Sequence, residues 1–267
     1  GVKHMAYPIP NTSGEWLTSF HDEQILVLKV DHFNDERQSN HGKHLAQFHA
    51  KMLDYDYHPQ NISSYGQWQS LWTNKLETFE QIIQEKAEEH PHDFYRLLMD
   101  HLPYLIGMSE NAIQYIQETT FEFRYHRGDQ STITFYRYEN QIMKPVIWMD
   151  DIVHDHPARD IAEFIRNQFL SRNQGRMNVI ETFLDDYTSI LDLSPFAWRS
   201  IYARLLFPVH LFDLIQKAWD HAHLDLYVPT LAKILQQQTL YERQIDALFS
   251  NRLSTIDVPR IKWLSEK

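Results

Sequence analysis

The sequence predicts a segregated α+β fold, and three observations carry that reading. Long stretches with apolar residues every three or four positions mark helices. Short runs of alternating or continuous apolar residues, confined to two places, mark a few strands. The order is strands, helices, strands and helices again, without the regular strand and helix alternation of a parallel sheet. With 267 residues, 43% hydrophobic and 23% charged, the chain has the composition of a folded soluble protein of one large or two modest domains.

From Trp16 to Val30, two short apolar segments flank the polar turn His21–Gln24, which predicts a hairpin. The polar stretch from Asp31 to Asn40 reads as a linker, and Leu45, Phe48, Met52 and Leu53 begin a helix. Between Trp68 and Ala87, eight apolar residues at three-and-four spacing form one face of a long amphipathic helix. Three short strands are expected next. They fall at the alternating Phe121, Phe123 and Tyr125, at Ile133 and Phe135, and in the run Val146 to Met149. Pro157 suits the first turn of a helix buried through Ile161, Phe164, Ile165 and Phe169. Further helices are predicted from Ile180 to Leu191, after the cap pair Ser194 and Pro195, and from Leu224 to Phe249.

Composition excludes several chemistries. The seven glycines are never closer than thirteen positions, so no dinucleotide fingerprint, Walker loop or nucleophile elbow is present. Cysteine is absent, which removes disulfides and thiolate sites and agrees with a reducing compartment. A net charge of −11 opposes binding to nucleic acid or anionic lipid. No apolar run is long enough to span a bilayer.

Among sixteen histidines, none forms the His-Glu-x-x-His string of zinc peptidases. His154 and Asp155 resemble the doublet of HD-type metal phosphohydrolases, with His126 as a further ligand, but Pro157 follows within two residues. A second constellation runs from His126, Arg127, Gly128 and Asp129 through Thr134 to Asp150, Asp151 and Asp160. An aspartate on a turn, followed by acids at the end of a strand and then a helix start, is how phosphotransferases place a base near metal-bound phosphates. The simpler alternative is that Gly128 and Asp129 only turn a hairpin.

The run VIWMDDIVHDHPARD from Val146 to Asp160, the residues Gly42, Leu45, Ala46 and His49, the segment Trp68 to Glu77 and the string ENAIQY resemble one family across nearly the whole chain. It is the bacterial spore-coat family of CotS and YutH proteins, within the kinase-like folds of aminoglycoside phosphotransferases and choline kinases. The resemblance implies a protein-kinase-like two-lobed fold. Residues 1–34 would be a remnant of the small β lobe, with Val30 at a cofactor-binding hinge, and residues 35–267 the large, mainly helical lobe. The small lobe is expected to be only partly present, because the chain is a fragment that lacks the glycine-rich loop and lysine strand. The resemblance further implies that Asp129 is the candidate base and that Asp160 supports the loop structurally. The family's metal-binding asparagine and aspartate correspond to Thr134 and Trp148, which leaves Asp150 as the candidate metal ligand. An indole offers one N–H donor and no acceptor to magnesium.

The implied function is a spore-coat protein with an impaired kinase site, a pseudokinase acting in coat assembly or binding. It would need no cofactor, associate with other coat proteins, and be made in the mother-cell cytoplasm before joining the coat. A nucleotide or small molecule is a possible further partner. The alternative is an active phosphotransferase that uses ATP and magnesium on a small alcohol or amine, with Asp129 as base.

Overall fold

A computed structural model describes residues 4–33, 40–53, 59, 62–122, 129–171, 176–221, 223–252 and 258. The N-terminal region holds two antiparallel ribbons: β1 (Tyr7–Pro8) pairs with β4 (Leu28–Lys29), and β2 (Leu17–Phe20) with β3 (Glu23–Leu26). The expected four-residue turn is a two-residue one. His21 and Asp22 both take positive φ, +47° and +64°, the geometry whose twist matches a tight hairpin. Every residue of β2 and β3 is exposed. The first strand is anchored to the rest of the molecule next to it, where Ala6 N–H donates to the Ile147 carbonyl and Ile147 N–H to the carbonyl of His4. The expected boundary at residue 34 lies outside the described residues.

Among the described residues, eight α-helices make up most of the remainder: α1 (His41–Met52), α2 (Trp68–Glu89), α3 (Asp93–Glu122), α4 (Ala158–Leu170), α5 (Arg176–Thr188), α6 (Pro195–Leu206), α7 (Val209–Asp220) and α8 (Val228–Arg252). Helix α2 follows the stripe read from the sequence, burying Trp68, Trp72, Leu76, Phe79 and Ile83; it packs along α3, with Trp72 stacked on Phe207 and Phe79 against Phe212 and Trp219. Pro157 stands just before α4, and Ser194 caps α6 by accepting the Ala197 N–H at 3.0 Å.

Two strand expectations are corrected. Phe121 lies in the last turn of α3, where Thr119 and Thr120 donate their hydroxyls to the carbonyls four residues back and so leave no polar group unpaired as the helix continues through them. Phe123 and Tyr125 lie outside the described residues. In the run Val146 to Met149, only Ile147 makes a bridge, to Met5; Met149–Asp151 form a single 3-10 turn. The strand starts later, at β6 (Ile152–Asp155), which pairs antiparallel with β5 (Thr132–Phe135). Trp148 and Met149 are exposed, so the apolar run does not fill the core.

Helix α6 occupies the middle of the helical body, packed on α3 and α4, with every residue from Ala197 to Leu206 buried. A helix apolar on most sides belongs in such a position, yet α6 also carries Arg204 inward. Arg204 lies over the Trp68 ring at 4.5 Å and reaches Glu163 of α4, which also pairs with Arg166 at 2.7 Å. Burial opposes ionisation of Glu163, but Arg166, Arg204 and Arg137 outweigh it and hold its pKa at about 2. Helix α1 crosses α5 so closely that a Cβ on Gly42 would lie 1.9 Å from the Phe183 carbonyl oxygen.

Two outcomes follow from this packing. Gly42→Ala should destabilise by at least the ~1–3 kcal/mol of an overpacked core, read from the urea midpoint. A folded pKa near 2 against 4.5 for the free side chain means that the stability from Glu163 is complete above pH 4.5 and lost as pH falls toward 2. That loss is on the order of 3 kcal/mol. Urea unfolding repeated at falling pH should show it, and the same series on Glu163→Gln, itself less stable throughout, should be flatter.

Candidate functional site

The site builds on the β5–β6 ribbon. Its register pairs Thr132 with Asp155 at one end and Phe135 with Ile152 at the other. The loop before α2 extends it, since Ser64 N–H donates to the His154 carbonyl at 3.0 Å. This brings Tyr65 and Trp68 beside the Asp155 end.

Asp129 lies at that same end, fully buried. Its Oδ1 accepts the Ser194 hydroxyl at 2.5 Å, and its carbonyl accepts the Tyr65 hydroxyl at 2.7 Å. The carboxylate therefore sits at the N-terminus of α6, where exposed backbone N–H groups favour negative charge. His156 approaches with Nε2 3.5 Å from Oδ1. His126, Arg127 and Gly128 lie outside the described residues.

Asp155 is also buried and accepts several donors. These are the Trp68 indole N–H at 2.8 and 3.0 Å, the Ser64 hydroxyl at 2.7 Å, Arg159 Nε at 2.6 Å and the His156 N–H at 2.7 Å. Burial would raise its pKa, but Arg159 and Arg204 together with these hydrogen bonds pull it below the usual carboxylate value. His154 turns to Ser63, with Nδ1 3.1 Å from the hydroxyl. A carboxylate so occupied holds the backbone in place, and among the described residues no group of three His, Asp or Glu side chains could hold a metal. The HD-type arrangement has no support in this geometry.

Asp160 is the most connected of the expected residues. Oδ1 accepts the Phe135 N–H of β5 at 2.9 Å, and Oδ2 lies 3.0 Å from His49 Nε2 on α1. His49 Nδ1 lies 2.8 Å from the Tyr187 hydroxyl on α5. All three side chains are buried. Burial raises the Asp160 carboxyl above the usual range, against the opposing pull of His49 and the Phe135 N–H.

The positions expected to hold magnesium are arranged otherwise. Thr134 is buried in β5 and donates its hydroxyl to the Val153 carbonyl at 3.2 Å. Trp148 is exposed, and Asp150 stands on the exposed 3-10 turn beyond the other end of the ribbon, where Tyr136 N–H donates to the Asp151 carbonyl at 2.7 Å. Asp129 and Asp150 are thus beyond opposite ends of a ribbon whose three residue steps at ~3.4 Å span about 10 Å. The carboxylate at the Asp129 end of the ribbon is Asp155, and Asp150 stands at the other end. Val30 stands half-buried directly after β4, where Tyr7 and Lys29 both contact Asp31.

Sequence reasoning missed Tyr65, His156, Phe196 and Ser200. They line one cavity of about 100 Å³ beside Asp155, together with Trp68 and Ile116. No motif announces them, because they come from three separate parts of the chain.

The "Spore coat putative kinase YutH" family model matches residues 1–248. The chain belongs to the YutH spore-coat family. It is 31% identical over 262 residues to the endospore coat-associated protein YutH of Bacillus subtilis strain 168, covering 95% of this chain and 77% of that protein. An aminoglycoside phosphotransferase from Alicyclobacillus acidocaldarius superimposes with a TM-score of 0.57 at 14% identity, over 94% of this chain and 77% of the other. The fold is therefore kinase-like and α+β, as expected. Among the described residues, no helix is long and apolar enough to cross a membrane.

Removing the Asp160 carboxylate leaves the Phe135 N–H and His49 buried without their acceptor. Asp160→Ala should cost about 3–5 kcal/mol by urea denaturation, the range for breaking a buried pair. Asp160→Asn, which keeps one acceptor oxygen, should cost less. An unchanged midpoint for Asp160→Ala would rule out the structural role.

Proposed function

We propose that this chain is a kinase-like component of the spore coat that transfers no phosphate and works by binding. The observation that carries this reading is the separation of Asp129 from Asp150 across the β5–β6 ribbon. Phosphoryl transfer depends on metal ions that neutralise charge beside the base that receives the acceptor's proton. Here Trp148 supplies no oxygen, Thr134 is turned to a backbone carbonyl, and Asp150 lies in solvent at the far end. Asp129 is held by Ser194 and works as a helix-terminal anchor.

The endospore coat-associated relative supports a place in the coat; in this reading the chain is made in the mother-cell cytoplasm and assembles with other coat proteins. Neither nucleic acid nor a membrane is a partner in this reading, in keeping with the net charge of −11.

The protein should show no magnesium-dependent thermal shift with ATP and no ATP turnover. A ligand at ~100 times its dissociation constant adds ~2.7 kcal/mol, which a melting curve resolves easily. A magnesium-dependent shift, with turnover abolished in Asp129→Asn, would establish the alternative of an active small-molecule phosphotransferase.

A further inference from the structure

The β2–β3 ribbon leaves one sheet edge unpaired. Phe20 and Glu23 flank its two-residue turn, and the hydrogen bond that closes such a turn makes them a bonded pair. Alternation along the antiparallel ladder then bonds Thr18 to Ile25 and turns the backbone groups of Leu17, Gln24 and Leu26 outward. The outer edge of β2 is covered, because the Asn11 side-chain amide donates to the Leu17 carbonyl and to the Thr18 hydroxyl, both at 3.2 Å. Among the described residues, no strand pairs with the outer edge of β3, and no backbone hydrogen bond reaches Gln24 or Leu26 from outside the ribbon.

Residues 23–27 hold neither lysine nor proline, the residues that commonly keep a free edge single. The ribbon is also rich in exposed apolar side chains. Trp16, Leu17, Phe20, Ile25, Leu26 and Val27 are 38–59% exposed and leave on the order of 600 Å² in water, an amount that on a monomer marks an interaction site. A standard interface buries ~800 Å² per partner, so one made by this ribbon alone is weak and depends on concentration.

Charge selects the register. Residues 4–28 contain Glu15, Asp22 and Glu23 and no lysine or arginine, so two copies set acid against acid would repel. A two-fold axis through Ile25 avoids this. Gln24 then pairs with Leu26 of the second copy through their outward backbone groups, Ile25 meets Ile25 of the second copy, and Glu23 faces Val27 of the second copy. The two Glu23 side chains end four residue steps apart, ~14 Å along the strands, beyond the ~8 Å screening length of physiological salt.

We propose that β3 pairs antiparallel with β3 of a second copy in this register, joining the two ribbons into one four-stranded sheet. A two-stranded ribbon is marginal alone, and added strands stabilise it. The inference goes beyond the reading of this chain as a coat component and involves neither nucleotide nor phosphate transfer.

Sedimentation velocity on the whole chain, from low to high micromolar concentration, should show a monomer giving way to a dimer. Added salt, which screens the acids, should strengthen the dimer. Ile25→Glu sets two carboxylates side by side at the axis and should weaken it at least about tenfold, while the circular dichroism melt of the helices stays unchanged. Because the chain has no cysteine, Ile25→Cys gives an independent reading. Under mild oxidant it should form disulfide-linked dimers, since opposite residues of an unbonded antiparallel pair have Cα atoms ~4.5 Å apart, within disulfide reach. Thr18→Cys, also exposed but one strand further from the axis, should not. A monomer at every concentration, a dimer that Ile25→Glu leaves intact, or equal crosslinking of the two cysteine variants would overturn the proposal. ATP is absent throughout, so such a failure is separate from any finding of ATP turnover.

Discussion

The Asp160 carboxylate leaves the first turn of α4 and meets the β5 backbone on one side and His49 of α1 on the other, with Tyr187 of α5 behind the histidine. Three helices and a strand thus depend on one buried carboxyl group. Such an arrangement is stable only when each hydrogen-bonding group finds its partner, because desolvating a carboxylate costs more than any single contact returns. Thr132 adds a further tie by donating to the His49 carbonyl. The position of β5, and with it the whole ribbon, follows from this contact.

The ribbon then determines what the site can do. At its Asp155 end, carboxylates are surrounded by donors from α2, α4 and the start of α6. At its Ile152 end, Asp150 is exposed and Asp151 half-buried. Each acidic group is satisfied by protein or by water where it stands, and the two sets are not brought to a common point. Within this kinase-like framework Asp129, Asp155 and Asp160 all accept hydrogen bonds from protein groups.

Much of this was legible in the sequence where the physics is local. The stripe from Trp68 to Ala87 needs only a 3.6-residue period, and Ser194 with Pro195 needs only cap chemistry. The hairpin was found, although its turn is shorter because His21 and Asp22 accept left-handed backbone. The strand at Val146 was misplaced because four apolar residues in a row look the same whether they enter a core or, like Trp148 and Met149, remain outside it. The cavity was illegible for a different reason. Tyr65, Ile116, His156 and Ser200 are neighbours only through tertiary contacts, and single-sequence patterns carry no information about those.

The contrast between α6 and the β2–β3 ribbon sets an order of opening. Helix α6 is enclosed on all sides and tied by Arg204 to Glu163, so its amides can exchange with solvent only when the whole helical body comes apart. The β2–β3 ribbon buries none of its strand residues and can open alone. In deuterium the molecule would label in two stages, first the N-terminal ribbon and much later the helical centre. A protease would meet the same two layers, trimming the ribbon long before the α6 core yields.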